Sequence, residues 1–137
     1  MAHAVRFHEA GGPEVLRYES VGVGEPGPGQ VRLRHLAVGL NYADTYFRNG
    51  TYKAPHLPFV TGKEGAGTVT AVGPGVTDFN IGDRVAYAGA DGAYSAERNI
   101  ETRHLVLVPD GIELETAAAM MLKGMTAEYL LHRTHRL

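Results

Sequence analysis

Thr61 to Gly73 reads TGKEGAGTVTAVG, with glycines at 62, 65, 67 and 73 and one adjacent cation and carboxylate, Lys63 and Glu64. A glycine-rich run carrying a lysine is a candidate phosphate cradle. The P-loop order G-x-x-x-x-G-K-[ST] requires a hydroxyl after the lysine to hold a metal ion, and Glu64 stands there instead, so the phosphate reading fails. Thr68 to Val72 is β-branched or alanine-sized throughout, which predicts a strand entered and left through glycine turns.

Working outward, short strands punctuated by glycine and proline account for most of the chain. Ala4 to Phe7 and Leu16 to Val21 read as strands around Gly11-Gly12-Pro13, and Val31 to Val38 sets Val31 and Leu33 opposite Arg32 and Arg34. Asn41 is placed to cap a short helix through Tyr42 and Phe47, with Gly50 to stop it. Further strands are predicted at Arg84 to Ala88, after a Gly82-Asp83 turn, at Ala93 to Arg98 and at His104 to Val108. From Leu114 the period becomes helical: Ala118, Met121, Leu122, Met125 and Tyr129 share a face interrupted by Gly124, and the first half is apolar nearly all round. Such a helix expects a partner. The fold class is mainly β with C-terminal helices.

Composition narrows the function. The 137 residues make one domain, a size that buries roughly 68–70% of the surface of its unfolded chain. A net charge of −2 with mixed signs gives no basic stripe for nucleic acid and no polybasic membrane patch. There is no cysteine, which removes disulfides and thiolate zinc sites together. No apolar run approaches the roughly 18 residues of a membrane span, and Met1 to Arg6 lacks a signal-peptide layout, so a cytoplasmic protein with small-molecule partners is expected.

Two other patterns are decoys. Gly22-Val23-Gly24-Glu25-Pro26-Gly27 spells G-x-G-x-x-G, but Pro26, Pro28 and Gly29 forbid the helix whose N-terminus would hold a pyrophosphate. His3, His8, His35, His56 and His104 have no metal-ligand spacing, and His132 with His135 is an isolated pair. Ser20 and Ser95 sit in strand-like runs and not on a nucleophile elbow.

Four stretches then carry a resemblance: GGPEVL at Gly11 to Leu16, GLNYADTYFRNGTY at Gly39 to Tyr52, GKEGAGTVTAVGPGVTDFNIGDRV at Gly62 to Val85 and AAAMMLKGMTAEYLL at Ala117 to Leu131. Together they resemble the N-terminal GroES-like catalytic domain of the medium-chain dehydrogenase/reductase superfamily, in its zinc-independent quinone oxidoreductase branch. The resemblance implies a partly open GroES-like β-barrel over residues 1–113. It implies connecting helices over 114–137, leading to a Rossmann domain that this chain does not contain. Zinc-dependent relatives carry a histidine and a cysteine ligand where Lys63 and Asn41 stand here. An ammonium and an amide do not replace them, so no metal is expected. Glu64 is then expected to be structural, paired with Lys63 or with buried polar groups.

By the same resemblance, NADPH is the cofactor and a small-molecule quinone the substrate. Asn41, Tyr42, Asp44 and Tyr46 are implied at the cleft that holds the nicotinamide, with Thr126 and Tyr129 approaching from the connecting helix. Tyr46, Tyr52 and Asn41 are the catalytic candidates, and Lys123 is either a cofactor contact or a solvated helix residue. A quinone suits a site without zinc, because its conjugated carbonyls need less help from a Lewis acid. An alkenal or enoyl reductase and a non-catalytic GroES-like module are the alternatives. A homo-oligomer is expected, and the 137-residue chain by itself is expected to be inactive.

Overall fold

The computed structural model describes residues 1–135. Its strands are β1 (Ala2–Phe7), β2 (Arg17–Val21), β3 (Gln30–Gly39), β4 (Phe59–Val60), β5 (Glu64–Val72), β6 (Arg84–Ala88), β7 (Glu97–Glu101) and β8 (Leu105–Leu107). Helix α1 (Tyr42–Arg48) lies between β3 and β4, and α2 (Leu114–Glu128) ends in a π-helical turn, Tyr129–Thr134. No helix among the described residues is long and apolar enough to cross a membrane.

The strands form a three-stranded sheet, β2-β1-β4, and a five-stranded sheet, β7-β3-β5-β6-β8. Every named pairing is antiparallel. The described residues therefore contain no βαβ crossover, the unit on which a Rossmann domain is built. The sheets are joined through residues 94–96: Val5 donates to the Tyr94 carbonyl, Ala96 donates to that of His3, and Ala4 bridges Ser95.

Alternation along β3 sends Val31 and Leu33 into a core with Val69, Val85, Tyr87, Ile100 and Leu105. Burying an aliphatic side chain of this size contributes about 1.5–3 kcal/mol. A second cluster forms where Ala117 and Ala118 of α2 lie on Ala66 and Ala86 of β5 and β6. Small residues on both surfaces bring the helix close to the sheet. The rest of α2 is less covered, with Met120, Met125 and Tyr129 about half exposed.

The main departures from the sequence reading lie in β5, β7 and β4, and the other strand ends shift by one or two residues. β5 begins at Glu64, four residues before Thr68, because its glycines serve close packing: a Cβ on Gly67 would lie 1.9 Å from the Arg34 carbonyl oxygen of β3. β7 covers Glu97–Glu101 and not Ala93 to Arg98. Ala93 and Tyr94 are used instead in the turn that joins the sheets, while the charged ERNIE segment forms the edge beside β3, where charge blunts strand addition. Two-residue β4 carries no periodic signal and pairs with β1 at Arg6 and Phe7.

Candidate functional site

Helix α1 starts where β3 leaves the sheet. Asn41 is its N-cap, and Asp44, three residues on, accepts from the Asn41 backbone N–H at 2.9 Å. The same Asp44 oxygen, Oδ2, accepts from the Tyr94 hydroxyl at 2.8 Å. Burial, reinforced by that carboxylate, pushes the Tyr94 phenol well above its usual range. Asp44 was expected on the cofactor-facing wall; it is 3% exposed and lies beneath it, because its place on the first turn points it at the capping amide and Tyr94.

The outer face of α1 and the turn after it carry the tyrosines. Tyr42 and Tyr46 have ring centroids 6.4 Å apart, and Tyr52 packs edge-on against Tyr46 at 5.3 Å and Phe47 at 5.6 Å. The turn is closed by the Tyr52 N–H, which donates to the Tyr46 carbonyl at 2.9 Å. All three rings are exposed. Among the described residues none of their hydroxyls has a protein partner. Tyr42, Tyr46 and Tyr52 thus form a continuous, exposed aromatic wall.

Against the cap of α1 lies Glu64, fully buried. Its Oε1 accepts from Asn41 Nδ2 at 2.9 Å and from Lys123 Nζ at 2.8 Å, and its Oε2 accepts from the Leu122 backbone N–H at 2.7 Å. Lys123 also donates to Asn41 Oδ1 at 3.1 Å. Lys63, the residue before β5, does not pair with Glu64. It reaches Asp91 Oδ1 at 2.6 Å and lies 5.0 Å over the Phe47 ring. Asn41 and Lys123 are thereby brought together from elements 82 residues apart. Thr126, one helical turn beyond Lys123, turns its hydroxyl back to the Leu122 carbonyl, and Tyr129 opens the π-helical turn, half exposed.

Gly39, Tyr94 and the Glu64–Lys123 pairing are parts of this site that sequence reasoning did not find. Only Gly39 left a signal, as a glycine ending a regular strand just before a cap. On the opposite side of β5, His35 Nδ1 donates to the Ser95 carbonyl at 2.6 Å, and its Nε2 accepts from the Tyr87 hydroxyl at 2.8 Å. Burial, helped by the Arg98 charge, lowers the His35 pKa to about 4 and keeps the ring neutral, and the Ser95 carbonyl, which can only accept, fixes this tautomer.

Asn41 and Lys63, the positions at which the resemblance implies ligands in zinc-dependent relatives, are both engaged in polar contacts of their own. Among the described residues no three His, Asp or Glu side chains converge as a metal site. For a nicotinamide cofactor the fit is one-sided. The free hydroxyls of the tyrosine wall and the second Asn41 amide hydrogen suit the nicotinamide end. The Gly22–Gly27 loop does not suit the pyrophosphate, since no helix follows it and its Val23 and Glu25 carbonyls are held by Asn99 Nδ2.

Residues 27–137 match the family model described as the alcohol dehydrogenase GroES-like domain. The chain is 54% identical to a quinone oxidoreductase of Pseudomonas aeruginosa, over all of this chain and 42% of that protein. It is 48% identical to a 2-haloacrylate reductase of a Burkholderia species, over 99% of this chain and 43% of that protein. The crystal structure of Escherichia coli quinone oxidoreductase complexed with NADPH superposes with a TM-score of 0.96 at 42% identity, over 99% of this chain and 42% of that one. The chain thus spans about two fifths of the length of the relatives it matches.

Proposed function

The chain belongs to the alcohol dehydrogenase GroES-like domain family, and from that premise we propose that it forms the substrate-side, N-terminal domain of an NADPH-dependent quinone oxidoreductase that works without zinc. The observation that carries this reading is the pairing of Asn41, the cap of the helix that bears the exposed Tyr42 and Tyr46, with Glu64 and Lys123. Asn41 and Lys63 offer no ligand set for a Lewis acid, so the polarising groups are neutral hydroxyls. Residues 1–113 supply the barrel and the wall, and residues 114–137 lead toward the cofactor domain.

Bound NADPH would supply the hydride. Asn41 and Tyr42 hold the nicotinamide end, with Thr126 and Tyr129 on the side of α2. Asp44 acts indirectly, fixing the first turn of α1 from below. The hydroxyls of Tyr46 and Tyr52 donate to the quinone oxygen on which negative charge develops. Stabilisation there is worth most where the donors are pre-aligned. The ring contacts of Tyr52 with Tyr46 and Phe47 provide that alignment.

A second reading, reduction of a conjugated C=C bond, is favoured by the similarity to the 2-haloacrylate reductase. The same wall would then polarise the conjugated carbonyl or carboxyl group. NADPH oxidation by the full-length protein carrying this chain, with benzoquinone, an enal and a haloacrylate in parallel, tests both readings. Quinone-dependent turnover is expected to dominate. Turnover with the unsaturated acids or enals alone would establish the second reading, and inactivity with all three would point to a non-catalytic module.

A further inference from the structure

We propose that Glu64 is a positioning residue that fixes the Asn41 amide and clamps α2 to β5 at Leu122, so that the tyrosine wall and the helix beside it move as one body. The proposal rests on the oxidoreductase reading for the meaning of that geometry, but the clamp itself is a property of these residues.

Glu64 is the first residue of β5, and its register partner in β3 is Gly39. The side chain fills the space a Cβ would otherwise take: a Cβ on Gly39 would lie 2.2 Å from Oε1. From there the carboxylate contacts two helices at once. Oε1 takes Asn41, the cap of α1, and Oε2 takes the N–H of Leu122, inside α2. An N–H in the interior of an α-helix ordinarily serves the carbonyl four residues back. A carboxylate reaching it from a strand is a tether at one defined turn of that helix.

The amide of Asn41 is read at both ends. Its Nδ2 faces the Glu64 carboxylate and its Oδ1 faces the Lys123 ammonium. A flipped amide would set oxygen against carboxylate and NH₂ against ammonium, so one orientation is enforced. That orientation commits one Nδ2 hydrogen to Glu64 and leaves the other for a ligand on the outer side. Lys123 closes the triangle by binding Glu64 Oε1 as well. Loss of Glu64 should therefore loosen Asn41 and Leu122 together, although they lie on different helices.

The test uses the full-length protein with Glu64→Gln, Asn41→Ala and the double variant. Hydrogen–deuterium exchange of the peptide spanning Leu122 is expected to quicken by about tenfold or more in Glu64→Gln. NADPH affinity, followed by titration, is expected to fall by about tenfold in each single variant and no further in the double. Lys123→Met, at a half-exposed position, guards against misfolding of the Glu64 variant and should likewise add no loss to Asn41→Ala. Losses that multiply in the double variants, or unchanged exchange at Leu122, would overturn the proposal. A wild-type protein that does not bind NADPH would sink the oxidoreductase reading, while the exchange result would still decide the clamp.

Discussion

A Cβ on Gly39 would stand 2.2 Å from Oε1, 2.4 Å from Cγ and 2.5 Å from Cδ of Glu64, so the missing side chain of one residue is the space occupied by the other. Glu64 cannot retreat without leaving Asn41, Lys123 and the Leu122 amide. Gly39→Ala is expected to destabilise the fold by about 1–3 kcal/mol, the magnitude for forcing extra volume into a packed site. Urea unfolding of the variant checks this, and a loss under about 1 kcal/mol would mean that the carboxylate has an alternative site.

Asp44 and Tyr94 make a comparable pair beneath α1. Tyr94→Phe leaves the ring in place and removes a donor from a buried carboxylate whose other oxygen, Oδ1, already lacks a partner in the protein. Oδ2 keeps the Asn41 N–H, so the expected loss of stability is that of one hydrogen bond to a charged group, about 1.5–3 kcal/mol. A thermal melt indistinguishable from wild type would show that water takes over the role of the hydroxyl.

The metal content follows from the donor set. Lys63 is held by Asp91 and Phe47, and Asn41 by Glu64 and Lys123. Elemental analysis after purification without chelators should find zinc far below one per chain. One tightly held zinc per chain would require those contacts to break.

Local order was legible in the sequence where the signal is local. Arg84 to Ala88 is a strand, as predicted after the Gly82-Asp83 turn, and Asn41 caps a helix that ends before Gly50. The proline-rich Gly22–Gly27 loop is irregular for the reason its prolines give. What escaped depends on distant residues. Nothing near Glu64 announces Lys123, 59 positions away, and adjacency to Lys63 misleads because Lys63 is taken by Asp91. The glycines of β5 read as serving turns and close packing, and the paired strands show which backbone Gly67 approaches. Asp44 reads as a polar residue for the cleft, and only the fold places Tyr94 under it.

His35 gives the stability a pH dependence. Its folded pKa of about 4 lies below the ordinary 6.5, so the unfolded chain takes up the proton first as pH falls. The contribution is fully present above about pH 6.5 and is lost progressively toward pH 4, amounting to about 3 kcal/mol in all. His35→Gln should lower stability at neutral pH and flatten this part of the profile. Parallel wild-type and variant curves between pH 7 and 4.5, measured by urea midpoints, would exclude the assignment.

Tyr46 and Tyr52 separate chemistry from folding most cleanly. Both hydroxyls project from exposed rings, and among the described residues neither bonds to protein, so replacing either tyrosine by phenylalanine removes no contact that holds the fold. The rings keep their edge-on packing, and melting temperatures should stay within a degree or so of wild type. If the hydroxyl of Tyr52 donates to the developing oxyanion, losing one neutral hydrogen bond worth about 1–1.5 kcal/mol lowers quinone turnover by roughly tenfold. The effect should fall on kcat more than on KM, since the bond strengthens as charge develops. Steady-state kinetics of Tyr46→Phe, Tyr52→Phe and the double variant in the full-length protein decide the matter. Turnover unchanged in all three would leave the wall as packing and move the search for the donor to the Asn41 amide.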